Sequence, residues 1–324
     1  MNFNNVFIVP KLKNVFIFSR KDIVIEKKIK NINYFPLIAS NMDSIGTLEM
    51  ASELSKEHCL TILHKYYTLK DLKSNKIDWK YTGISCGIQP QEIDQLHLIL
   101  KEISFIRIVC FDIANGYLKR FFIILKKFRK QYPHLILIAG NVCTPEGYLK
   151  LSSLGVDIVK MGISQGSVCS TKDKTGIGYP QLQMILDVQK ERNKWKNYFK
   201  KKALFISDGN CKTPGDICKA LVAGADFVMV GGMLSGTKES GGTEIIKDDK
   251  IYKWFYGMAS KTACSKFNTV DSYKTFEGIE KLVEVTTTVN KVILDIKGSV
   301  RSCCSYLNEK NISGMTNGKF ILKN

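Results

Sequence analysis

No stretch of this 324-residue chain is apolar for long enough to cross a membrane. Its opening, MNFNNVFIVPKLKNV, has no basic segment followed by an uninterrupted apolar run. Neither a membrane span nor a secretory leader is expected, and the expected compartment is the cytoplasm. The ten cysteines include no CxxC pair and no zinc spacing, so they read as free thiols in a reducing environment. No GxGxxG fingerprint is present, which argues against a Rossmann site. Arginine is scarce, six of 48 basic residues, and arginine forks dominate specific base contacts. The net charge of +18 therefore reads as a dispersed lysine surface that attracts small anions in general, without a nucleic-acid partner. No linker or low-complexity segment divides residues 1–324, so one domain is expected.

What the chain does contain is a repeat. Residues 140–162, GNVCTPEGYLKLSSLGVDIVKMG, align without a gap on 209–231, GNCKTPGDICKALVAGADFVMVG. In each copy a Thr-Pro pair starts a helix: the threonine accepts from an orphan amide, and the proline occupies the first helical position with its φ already set. Gly155 and Gly224 can take the left-handed conformation that ends such a helix. An apolar strand follows, which makes the unit a right-handed parallel crossover.

Eight short apolar runs predict strands at 35–41, 60–65, 81–87, 107–114, 135–141, 156–162, 204–210 and 227–232. Helical segments alternate with them. In residues 118–130, Leu118, Phe121, Phe122, Leu125 and Phe128 share one face, and Lys119, Arg120, Lys126, Lys127 and Lys130 fill the remainder. Eight alternations predict an α/β fold of the (β/α)8 TIM-barrel type. Residues 163–180 and 233–290 interrupt the rhythm as long loops after the sixth and eighth strands, where barrels keep their chemistry. The tail from Ser313 reads as irregular.

The first of these loops, GISQGSVCSTKDKTGIGYPQ, is rich in glycine and hydroxyl residues. Such turns bring backbone N–H groups or carbonyls close to a ligand. Cys169 sits within it, and a thiol on an exposed loop is a better nucleophile than one in a strand. His64 reads as a strand-end structural residue.

This loop resembles the cysteine loop of the IMP dehydrogenase and GMP reductase family. SNMDSIGTLEMA (40–51), ILHKYY (62–67), FDIANGY (111–117), ISDGNCKTPGD (206–216), ADFVMVGGMLSGTKE (225–239), FYGMAS (255–260), SYKTFEG (272–278) and GSVRSCCSY (298–306) match the same family in order. The next strand follows LTILHKYY too soon for the CBS modules that dehydrogenases insert there. No Arg-Tyr pair of the dehydrogenase flap follows residue 232, whereas Glu277 stands where the reductases keep a catalytic Glu. The resemblance therefore implies the reductase branch: NADPH-dependent conversion of GMP to IMP and ammonia through a covalent cysteine–purine intermediate, in purine interconversion. A dehydrogenase without its insert, and a barrel that only holds nucleotides or RNA, are the alternatives.

By position, the resemblance implies Cys169 as nucleophile, with Thr171 and Glu277 relaying a proton. Ser167, Asp208, Gly209, Asn210, Gly231, Gly232, Gly257, Met258, Ala259, Lys274 and Gly278 would hold the substrate. Asp208 would take the ribose, the glycines after strands seven and eight the phosphate. The cofactor would meet Ser19, Arg20, Lys65, Asp112, Ile113, Ala114 and Tyr273. Ser302, Cys303, Cys304 and Ser305 would reach a neighbouring subunit's cofactor in a homotetramer. A monovalent cation, K⁺, would sit on carbonyls of Ser164, Gly166 and Cys169, near Lys172. Four positions depart from the family: Ser164 replaces Gly, Ala259 replaces Ser, Lys274 replaces Arg and Ile279 replaces Lys.

Overall fold

A computed structural model describes residues 1–195, 203–269 and 275–323. The expected Tyr273 and Lys274 lie outside these. Eight parallel strands close a barrel: β1 (Leu37–Ala39), β2 (Leu60–Leu63), β3 (Thr82–Cys86), β4 (Ile108–Asp112), β5 (Ile136–Val142), β6 (Ile158–Met161), β7 (Leu204–Asp208) and β8 (Phe227–Val230). Each pairs with its neighbour in sequence, and β8 pairs with β1. Seven fall within the predicted runs and β5 extends one residue past its run, to Val142, so the expected TIM barrel is the fold.

The eight helices of the repeat follow their strands: α1 (Leu48–Lys56), α2 (Leu69–Ser74), α3 (Pro90–Glu102), α4 (Lys119–Gln131), α5 (Pro145–Ser153), α6 (Gln181–Lys194), α7 (Pro214–Ala223) and α8 (Val289–Tyr306). Thr144 and Thr213 accept from the amides of Gly147 and Asp216, as their place before proline requires. In α4, Phe121, Leu125 and Phe128 are buried as expected. Leu118 is instead the N-cap, and its side chain is exposed, because the helix starts one residue later.

The strands read as continuous apolar runs because both faces are covered. Ile108, Cys110, Ile136, Ile138, Ile158 and Ile206 fill the barrel interior. The alternate residues Val109, Phe111, Leu137, Ala139, Val159 and Phe205 pack in the larger cluster shared with the helices. A hairpin of Lys27–Ile29 and Ile32–Tyr34 lies before β1. Its Tyr34 is fully buried in the interior cluster, edge-on to Tyr81 and Phe227, and closes the N-terminal end.

Two expectations need correction. The tail is not irregular: Lys319–Leu322 pairs antiparallel with Val6–Val9, from opposite ends of the chain. The segment after β8 is not simply a loop either. Glu244–Lys247, Lys250–Tyr256 and Glu280–Glu284 form an antiparallel sheet, with a short helix at Lys261–Lys266. Among the described residues no helix is long and apolar enough to cross a membrane.

Candidate active site

The two long segments are stitched to each other over the C-terminal end of the barrel. Beyond its last pair, Tyr256 with Glu280, the antiparallel sheet continues as single bonds. Gly257 donates to Ile279 O (3.3 Å), and Ile279 donates to Val168 O (3.0 Å). Ser170 N donates to Glu277 O (2.7 Å), and Cys169 and Gly278 form an isolated bridge. The backbone thus brings Cys169, Gly257 and Gly278 together, although they are far apart in sequence.

A proton path follows from this stitching. The Cys169 thiol lies 3.3 Å from Thr171 Oγ1, and Thr171 Oγ1 donates to Glu277 Oε2 at 2.6 Å. Thr171 begins the short helix Thr171–Thr175, which holds its hydroxyl two residues beyond the sulphur. Cys169, Thr171 and Glu277 are all partly exposed, so a ligand can reach them. A nucleophile, a hydroxyl and a carboxylate in line can activate a thiol and pass its proton to a leaving group.

The sheet segment is tied down to the barrel by Asp43, in the turn after β1. Its buried carboxylate accepts from Tyr256 OH (2.7 Å) and Lys266 Nζ (2.8 Å), and its amide donates to Met258 Sδ (3.4 Å). Burial and this carboxylate push the Tyr256 phenol's pKa up, so it remains a donor. Sequence reasoning did not single out Asp43. An acid inside SNMDS, next to a predicted strand end, was the available signal.

Opposite Cys169, the barrel mouth carries Asp208 at the end of β7, with Gly209 and Asn210 beyond it. Asn210 N donates to Gln165 O (2.8 Å), which joins this turn to the cysteine loop. Gly231 and Gly232 follow β8. A Cβ on Gly232 would stand 2.6 Å from Ser167 Oγ, so glycine lets that hydroxyl lie against the backbone as it does here. The expected phosphate residues Ser167 and Gly232 therefore share one spot, and both are exposed. Ala259, also exposed, uses its carbonyl to accept from Glu277 and Gly278.

The expected cofactor residues fall into two groups. Lys65, Asp112, Ile113 and Ala114 stand at the ends of β2 and β4. Lys65 is exposed and ion-paired to Glu92 at 2.5 Å. Ser19 and Arg20 lie elsewhere, against α8, where Arg20 donates to Ser302 Oγ (2.8 Å). Arg20, Ser302 and Cys303 line a cavity of about 840 Å³ on the outer side of α7 and α8. Ser305 is partly exposed in the same helix, but Cys304 is fully buried. Its thiol faces the core because it lies on the helix stripe with Ile293, Ile296 and Val300, so Cys304 offers no thiol to a cofactor. Arg20 and Ser302 present polar side chains to that cavity, whereas Lys65 and Asp112 present theirs at the barrel mouth.

For the cation, Gly166 O accepts Cys169 N–H (3.1 Å) in a tight turn. Ser164 takes the left-handed φ of 65° that the family's glycine would adopt. Its buried hydroxyl donates to Ile177 O (2.6 Å), which closes the loop on itself. Among the described residues no His, Cys, Asp and Glu cluster could hold a metal. The neutral oxygens of this turn suit a monovalent ion. Lys172 is exposed one residue after Thr171.

One residue at the mouth was missed. Lys160, in β6, is buried between Asp112 and Asp208. A lysine inside the apolar run VDIVKMG was the signal.

A model of the IMP dehydrogenase / GMP reductase domain matches residues 1–323. Human GMP reductase 2 is 39% identical over 316 residues, which cover 95% of this chain and 89% of that protein. The GMP reductase of Onchocerca volvulus is 36% identical over 328 residues, 98% and 88% of the two chains. That of Phytophthora infestans is 39% identical over 318 residues, 95% and 86%. With the barrel, the cysteine loop and the Thr171–Glu277 pair in place, these matches show that the chain belongs to the IMP dehydrogenase/GMP reductase family.

Proposed function

We propose that the protein is an oxidoreductase that converts GMP to IMP and ammonia at the expense of NADPH. The observation that carries this reading is the line from Cys169 Sγ through Thr171 Oγ1 to Glu277 Oε2. Cys169 attacks C2 of the guanine, and the carbon–nitrogen bond to the amino group breaks. The thiol's proton passes through Thr171 and Glu277 to the departing amine, so ammonia leaves neutral. A dehydrogenase must activate water at this stage; a carboxylic acid beside the thiol serves a leaving amine instead. NADPH, when bound, supplies the hydride that takes the amine's place at C2. Release of the sulphur then frees IMP and regenerates Cys169.

The remaining residues position and hold. Asp208 accepts from the ribose hydroxyls. Ser167, Gly209, Asn210, Gly231 and Gly232 take the phosphate on hydroxyl and N–H groups. Gly257, Met258, Ala259 and Gly278 line the base. Lys65, Asp112, Ile113 and Ala114 receive the nicotinamide half of the cofactor. Ser19, Arg20, Ser302, Cys303 and Ser305 face the cofactor of a neighbouring subunit in a homotetramer. The carbonyls of Ser164, Gly166 and Cys169 hold K⁺, which fixes the cysteine loop. Ten free thiols accord with the cytoplasm.

Loss of NADPH absorbance on addition of GMP tests the assignment. The wild type should turn over, Cys169→Ala should be inert, and Glu277→Gln should lose about 10²–10⁴ in kcat with little change in KM for GMP. Full turnover in Cys169→Ala, or activity only with IMP and NAD⁺, would reject the reading.

A further inference from the structure

Above the apolar layers of the barrel interior lies one charged layer. Successive inward positions on β4 run Ile108, Cys110, Asp112; on β6, Ile158, Lys160; on β7, Ile206, Asp208. Lys160 is 5% exposed. Its Nζ lies 3.2 Å from Asp112 Oδ1, 2.8 Å from Asp208 Oδ2 and 3.1 Å from Asn141 Oδ1. An ammonium has three protons, and here each has an acceptor. Each carboxylate also has a second anchor. Asn41 Nδ2 donates to Asp112 Oδ2 (2.6 Å), and Asn141 Nδ2 donates to Asp208 Oδ2 (2.7 Å). Gly140 makes room, since a Cβ there would meet Lys160 O at 2.2 Å.

Burial opposes the charge on Lys160, but Asp112 and Asp208 more than offset it and hold its pKa above the ordinary value. Buried ion pairs are a poor source of stability, because apolar residues of similar volume commonly do as well. The triad is therefore better explained by what its carboxylates touch. Both remain partly open to the mouth, with side chains 27% and 19% exposed for Asp112 and Asp208. Without the ammonium, Asp112 and Asp208 would lose the one donor they share, and each would keep only its asparagine anchor. A carboxylate free to turn no longer presents its oxygens to a sugar hydroxyl in one geometry.

We propose that Lys160 is a positioning residue that couples the two nucleotide subsites. It holds Asp208, on the substrate side, and Asp112, on the cofactor side, in fixed rotamers on one ammonium. Occupancy of one carboxylate is thereby felt at the other. The inference rests on the assignment of those two aspartates in the proposed function.

Equilibrium titration of the full chain with GMP and with NADP⁺, separately and together, tests it. In the wild type each ligand should change the other's Kd at least threefold, equally in both directions. In Lys160→Met both Kd values should rise at least tenfold, and the coupling factor should fall to one. Lys160→Arg should restore part of both affinities. Lys160→Met that is folded but keeps both affinities, or loses only one ligand, overturns the proposal, as does a wild-type coupling factor of one. If Lys160→Met does not fold, Lys160→Arg carries the test: its planar fork cannot reproduce the three contacts, so unchanged coupling overturns the proposal. A wild type that binds no GMP at all overturns the functional assignment instead.

Discussion

His64 stands one residue beyond β2, stacked on Tyr67 with ring centroids 4.1 Å apart, and its Nδ1 accepts from the Tyr66 amide at 3.3 Å. Burial lowers its pKa from 6.5 to about 4. Below pH 6.5 the unfolded chain therefore binds a proton that the folded protein refuses. The stability that neutral His64 allows is complete above pH 6.5 and is lost as pH falls toward 4, by up to about 3 kcal/mol. His64→Gln should flatten this acid limb, as read from urea unfolding at stepped pH. Equal slopes in the two proteins would contradict it. The same scale explains what the chain alone revealed about Lys160 and Cys304. A lysine in an apolar strand signals a buried charge without naming its partners. Which of two adjacent cysteines faces the core depends on where α8 packs.

At the scale of elements, the repeat was legible because its signals are local: a capping threonine, a proline after it, a glycine at the end and an apolar run. The paired termini were not legible, because the partner of Val6–Val9 is Lys319–Leu322, and only long-range pairing defines either strand. Val6 and Phe3 are fully buried, while Phe320 packs against the core from the partner strand. Truncation after Gly318 removes that ladder and leaves an unpaired edge. It should lower stability by about 1–3 kcal/mol and reduce Tm by a few degrees in a thermal melt, without altering KM for GMP. An unchanged Tm would show that the strand contributes nothing to the barrel. The sheet after β8 escaped notice for a related reason. Its two outer strands are mostly exposed, and the buried positions of the central one, Lys253, Phe255 and Tyr256, include a lysine and do not alternate.

For the whole molecule, the division of the expected cofactor residues is the telling feature. Arg20 and Ser302 bond to each other on the outside of α8, while Lys65 and Asp112 stand at the barrel mouth. In the proposed homotetramer, one subunit's mouth would be completed by another subunit's outer face. Light scattering after size exclusion should give four times the chain mass of 36.6 kDa. Ser302→Arg should raise KM for NADPH at least fivefold by crowding that face, with KM for GMP nearly unchanged. A monomer that is fully active would exclude a shared site.

Local chemistry, carried by the sequence alone, determined the eight strands, the helix caps and the cysteine loop, because each depends on residues within one turn or one strand. The ordered motifs likewise determined the family. Only the tertiary structure decided that Glu277 reaches Thr171, that Asp43 anchors the sheet and that Lys160 joins Asp112 to Asp208. These contacts form between strands and loops that only barrel closure brings together, and the pairing of buried charges is a matter of distance in space.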